Sequence, residues 1–402
     1  MKNKYKVVII GAGSGGLPTA AKLSGELKAG DIAIIDPSDK HYYQPYWTLA
    51  GAGLAMKEVT EKPTRDYIPS GVDWIKEKVI KIEPEAKVLT LKSGAKISFD
   101  FLVVATGLKL DWGKIAGLEG NLGKNGIVSI YEYDQVDACA EAINTFKGGS
   151  AIFVMPPTPI KCAGAPQKIM YLAEEIFRKT GVRAKTKVYF VTNGKAMFGI
   201  PFFAQALAKI VKERGIEPVY QRRLIGVDAF NKVAIFMATD DQGKMTEEKR
   251  RYDLLHVVPS MSAPVLIEEA GLAFTEGEHK GWMAVDKHTL QHLKYKNIYG
   301  IGDVTGVPNS KTGAAIRKQY PVVVANLLQT MKGKQPTHKY DGYSSCPLTT
   351  ENGKVMLAEF GYDGKLMPTF PFNPAVPSRF YWFLKKTVLP LMYWHAMLKG
   401  RA

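Results

Sequence analysis

The stretch YKVVIIGAGSGGLP, Tyr5 to Pro18, decides the fold. Tyr5–Ile10 is short and almost wholly apolar, the pattern of a strand buried on both faces. Gly11, Gly13 and Gly16 follow at GxGxxG spacing, with Ser14 and Gly15 inside the loop. Gly11 permits a tight turn, Gly13 lets backbone approach a pyrophosphate, and Gly16 brings helix and strand close together. The pattern predicts a helix over Leu17–Leu27, whose N-terminal N–H groups and dipole suit phosphate. A second apolar strand, Ile32–Ile35, ends in Asp36. Its separation from the glycines is the one at which a carboxylate accepts from a ribose 2′-OH. Glycines of ordinary turns lack this ordered context, so the unit reads as a Rossmann dinucleotide site. FAD and NAD both remain open at this point.

The rest of the chain sets the bounds. Its 402 residues, 46% apolar and 23% charged, allow two well-buried domains. Fifty-four basic residues against 38 acidic ones leave a net charge of +16. The excess is spread along the chain with no dense basic stripe, which argues against nucleic acid and for an anionic membrane surface or a small anion. After Asp363 no acid remains, while Lys365, Arg379, Lys385, Lys386, Lys399 and Arg401 do. Cys139, Cys162 and Cys346 are too few for a disulfide-built fold and have no zinc-ligand spacing. The N-terminus runs straight into a strand without a signal or transit pattern, which predicts synthesis and folding in the cytoplasm.

Two further segments narrow the cofactor. Phe101–Gly107 is a buried strand ending in Thr106-Gly107, and Asn297–Asp303 is another ending in an acid. Both resemble the return segments of two-dinucleotide-binding-domain flavoproteins, the glutathione reductase-like superfamily. The resemblance implies FAD, with Asp303 bonding the ribityl chain. Lys311, Thr312, Gly313 and Ala314 would open a helix toward the flavin, whose N-terminal dipole stabilises negative charge on the reduced ring. A mid-chain strand, Ser150–Met155, stands where a second GxGxxG belongs in members that use NADH. Pro156, Pro157 and Pro159 follow it instead and remove three backbone donors that a pyrophosphate needs. The expected fold is therefore α/β, with two Rossmann-like dinucleotide-binding domains, the second without a nucleotide loop. The expected boundaries are 1–110 for the first part of the FAD domain and 111–285 for the second domain, entered through a linker and helix at 111–149. Residues 286–340 return to the first domain, and 341–402 form a C-terminal region with an amphipathic, membrane-binding helical tail.

Cys162 lies in the substituted loop just before a helix expected from about Gln167 to Lys179, with Pro166 at its first position. The helix N-terminus and Lys161 both favour a thiolate there. Cys346 falls in a turn-like stretch, Tyr343–Pro347. Free cysteines are commonly small core hydrophobes, and Cys139, in the amphipathic run Val136–Ile143, reads as one.

KCAGAPQK (Lys161–Lys168) and GYSSCPL (Gly342–Leu348) resemble the two cysteine motifs of the sulfide:quinone oxidoreductases, in the branch that includes the mitochondrial enzymes. HYYQP (His41–Pro45) also matches that family, in which the glutamine lies near the FAD. The similarity runs over essentially the whole chain. It implies that Cys162 and Cys346 are the redox pair and that Gln44 and Val79 join the cofactor contacts. By the family's usual assignment Cys162 carries a persulfide and Cys346 faces the flavin. Hydrosulfide would attack the pair, electrons would pass through the flavin to a membrane quinone, and sulfane sulfur would leave to a thiol, sulfite or polysulfide.

The tail, Ser378–Lys399, is aromatic, but Lys385, Lys386 and Pro390 in its middle oppose a membrane span. Two short amphipathic helices joined near Pro390 are expected instead, lying in the interface. Trp382 and Trp394 would sit at headgroup depth and the basic residues against anionic lipid. Phe370, Phe372 and Phe383 are candidate walls of a quinone pocket. The expected placement is a peripheral protein of the cytoplasmic membrane, and a homodimer is left open. The alternatives are a type II NADH:quinone oxidoreductase, which the missing glycine loop disfavours, and the FAD subunit of a flavocytochrome-type sulfide dehydrogenase.

Overall fold

A computed structural model describes residues 2–402. Its first sheet has seven strands, centred on Lys4–Ile10, with Ile32–Ile35 and Val72–Ile75 on one side and Lys96–Val104 on the other. These four are parallel and rich in β-branched residues, as expected of strands covered on both faces. Ile10 pairs with both Ile35 and Val104, and Gly300 of the short strand Ile298–Gly300 also pairs with Val104. One carboxyl edge therefore carries the glycine loop, Asp36, Thr106 and the turn to Asp303, although Asp36 and Asp303 stand near opposite ends of the chain. Antiparallel strands Val79–Glu83 and Val88–Leu91 complete the sheet.

A second, all-parallel sheet runs in the order Ile127–Val128, Leu254–His256, Gly149–Met155, Thr186–Thr192, Ile216–Val219. An antiparallel meander, Arg222–Asp228, Val233–Thr239 and Met245–Arg251, is inserted in sequence between its strands Ile216–Val219 and Leu254–His256. The segment after Met155 crosses to the loop that precedes helix Gly313–Met331. Lys161 bridges Lys311, and the Cys162 N–H donates to the Lys311 carbonyl at 2.9 Å. The next helix begins at Ala165, slightly earlier than expected, so Pro166 is its second residue and Gly164 its cap.

Cys346 is not in a turn. It lies on strand Ser344–Glu351, which forms a hairpin with Lys354–Phe360 and pairs Cys346 with Ala358. Alternation along that strand sends Cys346 and Leu348 toward helix Ala165–Lys179, and Ser345 and Pro347 to the other face. The turn residues Ser-Ser-Cys-Pro disguise a strand whose register is set by its partner and its packing.

The tail also departs from expectation. It is one helical run, with α-helix at Arg379–Phe383, a π-turn at Leu384–Val388 and α-helix at Leu389–His395. Ser378 caps its start by accepting from the Phe380 N–H. Pro390 has no N–H for the Lys386 carbonyl, and Tyr46 Oη donates to that carbonyl at 2.9 Å instead. The helix therefore continues past the proline. No helix among the described residues is long and apolar enough to cross a membrane.

Candidate active site

A cavity of about 410 Å³ opens between the first sheet's carboxyl edge, the Cys162 loop, the cysteine hairpin and the tail. Of the candidate site residues, Ser14, Gln44, Cys162, Asp303, Lys311, Thr312, Gly313, Ala314, Cys346 and Phe370 line it, as do Lys161 and Lys385. Phe372 and Phe383 do not, and both stand more than half exposed on the outer surface. Val79 opens an outer strand of the first sheet, paired with Leu91, is buried in the core and does not line the cavity.

The edge of the first sheet fits a dinucleotide. Gly11 has φ +103°, and a Cβ there would lie 2.5 Å from the Ala105 carbonyl oxygen. A Cβ on Gly16 would lie 1.8 Å from the Gly11 oxygen, whereas Gly13, Gly107 and Gly313 face open space. Thr106 Oγ1 is buried without a protein partner, a donor and acceptor kept for something else. Asp36 accepts from the Ala12 N–H at 2.7 Å, fixing its carboxylate beside the loop. Thr312 caps helix Gly313–Met331 through the Ala315 N–H, so the positive end of that helix meets the cavity.

Asp303 and Lys311 sit together there. Lys311 Nζ donates to the Asp303 and Thr305 carbonyls at 2.8 and 2.9 Å, and burial pushes its pKa down to about 8. Burial also raises the Asp303 carboxyl against the pull of Lys311 and Lys161. Lys161 does not take the place beside the thiol that its position in the chain implies. Its Nζ instead donates to Gln44 Oε1 at 2.8 Å and lies over the rings of Trp47 and Tyr131.

The cysteines converge from elements far apart in the chain. Cys162 has φ +48°, a left-handed backbone that only a few non-glycine residues adopt. Its carbonyl accepts from the Ala165 N–H at 2.7 Å and from Tyr131 Oη at 3.2 Å, which holds the bend. Gly164 leaves room for Cys346: a Cβ there would lie 2.5 Å from Cys346 Sγ. Both cysteines are free thiols. A hydrogen bond from Cys346 holds the Cys162 pKa well below the ordinary thiol value, aided by Lys168 and Lys385. The Cys346 thiol, keeping the shared proton, is raised. Cys162 is thus the more acidic member of the pair and Cys346 the less acidic.

Sequence reasoning missed the two cations of this pair. Lys168 is 1% exposed, and its Nζ lies 3.2 Å from Cys162 Sγ. It stands within the first cysteine motif, on the helix that the cysteine loop opens, the one signal that points to it. Lys385, expected against lipid, is 4% exposed and faces the cysteines from the π-turn, its pKa pushed down to about 7 by burial and by Lys168. The wide turn carries Lys385 inward between Leu384 and Lys386. Trp394, expected at headgroup depth, is likewise buried, its ring 5.2 Å from Tyr67 and 5.6 Å from His41. Trp382 is half-buried beneath Lys386. Cys139 is fully buried in the second domain's core, with its thiol pKa raised by burial.

Residues 5–318 match the pyridine nucleotide-disulphide oxidoreductase family. The mitochondrial sulfide:quinone oxidoreductase of Dictyostelium discoideum is 43% identical over 403 residues, covering 100% of this chain and 87% of that protein. Its Mus musculus counterpart is 41% identical over 399 residues, covering 99% and 87%. The X-ray structure of the sulfide:quinone oxidoreductase from Aquifex aeolicus shares the fold, with TM-score 0.80 at 21% identity, over 99% of this chain and 92% of that one. The first two relatives are mitochondrial by name, which lends no support to the cytoplasmic membrane expected above. A Rossmann edge fitted to a dinucleotide, a coupled cysteine pair where a second nucleotide loop would stand, and full-length similarity agree: the chain belongs to the sulfide:quinone oxidoreductases, flavoprotein members of the pyridine nucleotide-disulphide oxidoreductase family.

Proposed function

We propose that the chain binds FAD along the carboxyl edge of its first sheet and oxidises hydrogen sulfide at Cys162 and Cys346, passing the electrons to a quinone under the tail. The observation that carries this is the buried Lys168 Nζ 3.2 Å from Cys162 Sγ, with Cys346 and Lys385 in the same cavity as Asp303 and the N-terminus of helix Gly313–Met331. Bound FAD supplies two-electron redox chemistry. Gly11–Gly16, Asp36, Thr106 and Gly107 would hold its dinucleotide part, and Gln44, Asp303 and Lys311–Ala314 its flavin half.

The cysteines handle the sulfur. HS⁻, drawn in by Lys168 and Lys385, attacks the oxidised pair, leaving a persulfide on one sulfur and a thiolate on the other. A thiol, sulfite or polysulfide takes the outer sulfur. The two thiolates then re-form their bond, and bound FAD would accept the two electrons released. Cys162 suits the persulfide because its bent backbone points the sulfur into the cavity beside Lys168.

Quinone suits the tail end, where Leu357, Phe370, Tyr381, Leu384, Val388, Leu389 and Met392 form an apolar lobe. The outer side of the same helical run exposes Phe380, Phe383 and Leu391 beside Lys386, a surface fit to rest on lipid. The protein would then be peripheral to the membrane. The experiment is anaerobic mixing of the flavin-loaded protein with sulfide or with NADH while flavin absorbance is followed. Sulfide should bleach the flavin, Cys162→Ser and Cys346→Ser should abolish that, and bleaching by NADH alone would overturn the proposal.

A further inference from the structure

Quinone reduction consumes protons, and the apolar lobe has one acid in its wall. Asp303 and Glu359 are the carboxylates lining the cavity, and Asp303 lies beside Lys311, whose Nζ donates to its backbone carbonyl, at the other end. Glu359 lies on the second strand of the cysteine hairpin, directly across from Ser345, on the face turned away from Cys346 and toward the tail. It is 4% exposed. Its Oε1 accepts from Tyr343 Oη and from Thr369 Oγ1, and its Oε2 from the Thr369 N–H at 2.9 Å. A carboxylate has about four lone-pair sites, so one on Oε2 is left for a proton. A buried acid among Leu357, Phe370 and Tyr381 is costly to keep for packing alone.

We propose that Glu359 delivers a proton to the quinone at the tail end of the cavity. The proposal rests on the reading that quinone lodges there. Quinone becomes quinol by taking two electrons and two protons. A bound flavin would supply the two electrons and water the first proton. The second proton passes from the Glu359 carboxyl to a quinone oxygen, leaving the carboxylate, which is reprotonated from water. The groups that face Glu359 are Tyr343 from its own hairpin, Thr369 from the following loop and Tyr381 from the tail. Arg317, half-exposed on helix Gly313–Met331, also lines the cavity and acts on Tyr343. Tyr343, held by burial and by Glu359, has its pKa pushed up to about 12 and keeps its proton through the working range.

The test uses two electron acceptors. Sulfide-reduced wild type and Glu359→Gln are mixed anaerobically with a short-chain ubiquinone analogue, which takes protons, or with ferricyanide, which takes none. In the variant, reoxidation by quinone should slow by about a hundredfold, the scale of a lost general acid. Reduction by sulfide and reoxidation by ferricyanide should stay within about twofold. Unchanged reoxidation by quinone overturns the proposal, and equal slowing with ferricyanide assigns Glu359 a purely structural role. Should wild type itself fail to reduce the quinone, the underlying reading falls instead. Tyr343→Phe removes one donor from the carboxylate and should change the rate of the quinone step severalfold, with the sulfide step unchanged. An unchanged quinone step also counts against Glu359.

Discussion

The hydroxyl oxygen of Tyr393, in the tail, lies 2.6 Å from Ser14 Oγ, in the glycine loop at the other end of the chain. The same hydroxyl lies 2.6 Å from His41 Nε2. His41 Nδ1 faces the Ala12 carbonyl, so it carries the hydrogen. Nε2 must then accept from Tyr393, and Ser14 donates to Tyr393 in turn. The tail is thereby locked to the loop that meets the cofactor. Tyr393→Phe should leave His41 Nε2 unsatisfied, cost about 1–3 kcal/mol and speed flavin loss several-fold. Thermal unfolding and the fluorescence of released flavin check both.

His41 also sets an acid limit. Burial pushes its pKa down to about 4, below the ordinary value of about 6.5. The unfolded state binds more protons in that interval, so stability falls as pH drops from about 6.5 to about 4. His256, buried in the second domain with a pKa near 3, acts in the same direction. Midpoints of urea unfolding across this range should fall with pH, less steeply in His41→Asn.

After the Cys346 hydrogen bond, Lys168 helps lower the Cys162 thiol pKa. Lys168→Met fills the same space without the charge and should raise the thiol pKa. Bleaching by sulfide should slow by about tenfold or more near neutrality, with partial recovery at alkaline pH. Stopped-flow absorbance as a function of pH measures this.

Gly164 sets the distance between the cysteines. In Gly164→Ala the new methyl would lie 2.5 Å from both Cys346 Sγ and Leu348 Cδ2. Neither can withdraw freely, because the hairpin is packed against the helix that Gly164 caps. The expected cost is about 1–3 kcal/mol, typical of overpacking, together with a loss of coupling between the thiols. Thiol titration and thermal unfolding report the two effects.

Phe380 and Phe383 are 42% and 55% exposed on the outer side of the tail. Placing Asp at both should weaken sedimentation with anionic vesicles severalfold while leaving bleaching by sulfide unchanged. Equal loss of both would point to an unfolded tail.

Much of the fold is legible in the sequence because it rests on short-range patterns. The run Tyr5–Ile10, the glycine spacing and Asp36 specify a strand, a turn and an acid within a short stretch of chain. The prolines after Met155 remove nucleotide donors wherever that loop lies. Cys346 is misleading because Ser-Ser-Cys-Pro has turn composition, and only pairing with Lys354–Phe360 makes it a strand. Phe372 and Phe383 fall outside the cavity because aromatic content does not say which side of a helix or loop faces inward.

The sequence by itself determined the dinucleotide unit, the loss of the second glycine loop and the two cysteine motifs, since each is written in neighbouring residues. Only the tertiary structure decided what surrounds the sulfur. Lys385 looks like a lipid-facing charge from its neighbours in the chain. It is buried because the π-turn, the Tyr46–Lys386 bond and the Tyr393–Ser14 bond dock the tail over the cavity. A buried lysine is held there by a thiolate from the distant Cys162 loop, and such a pairing exists only once the chain has folded.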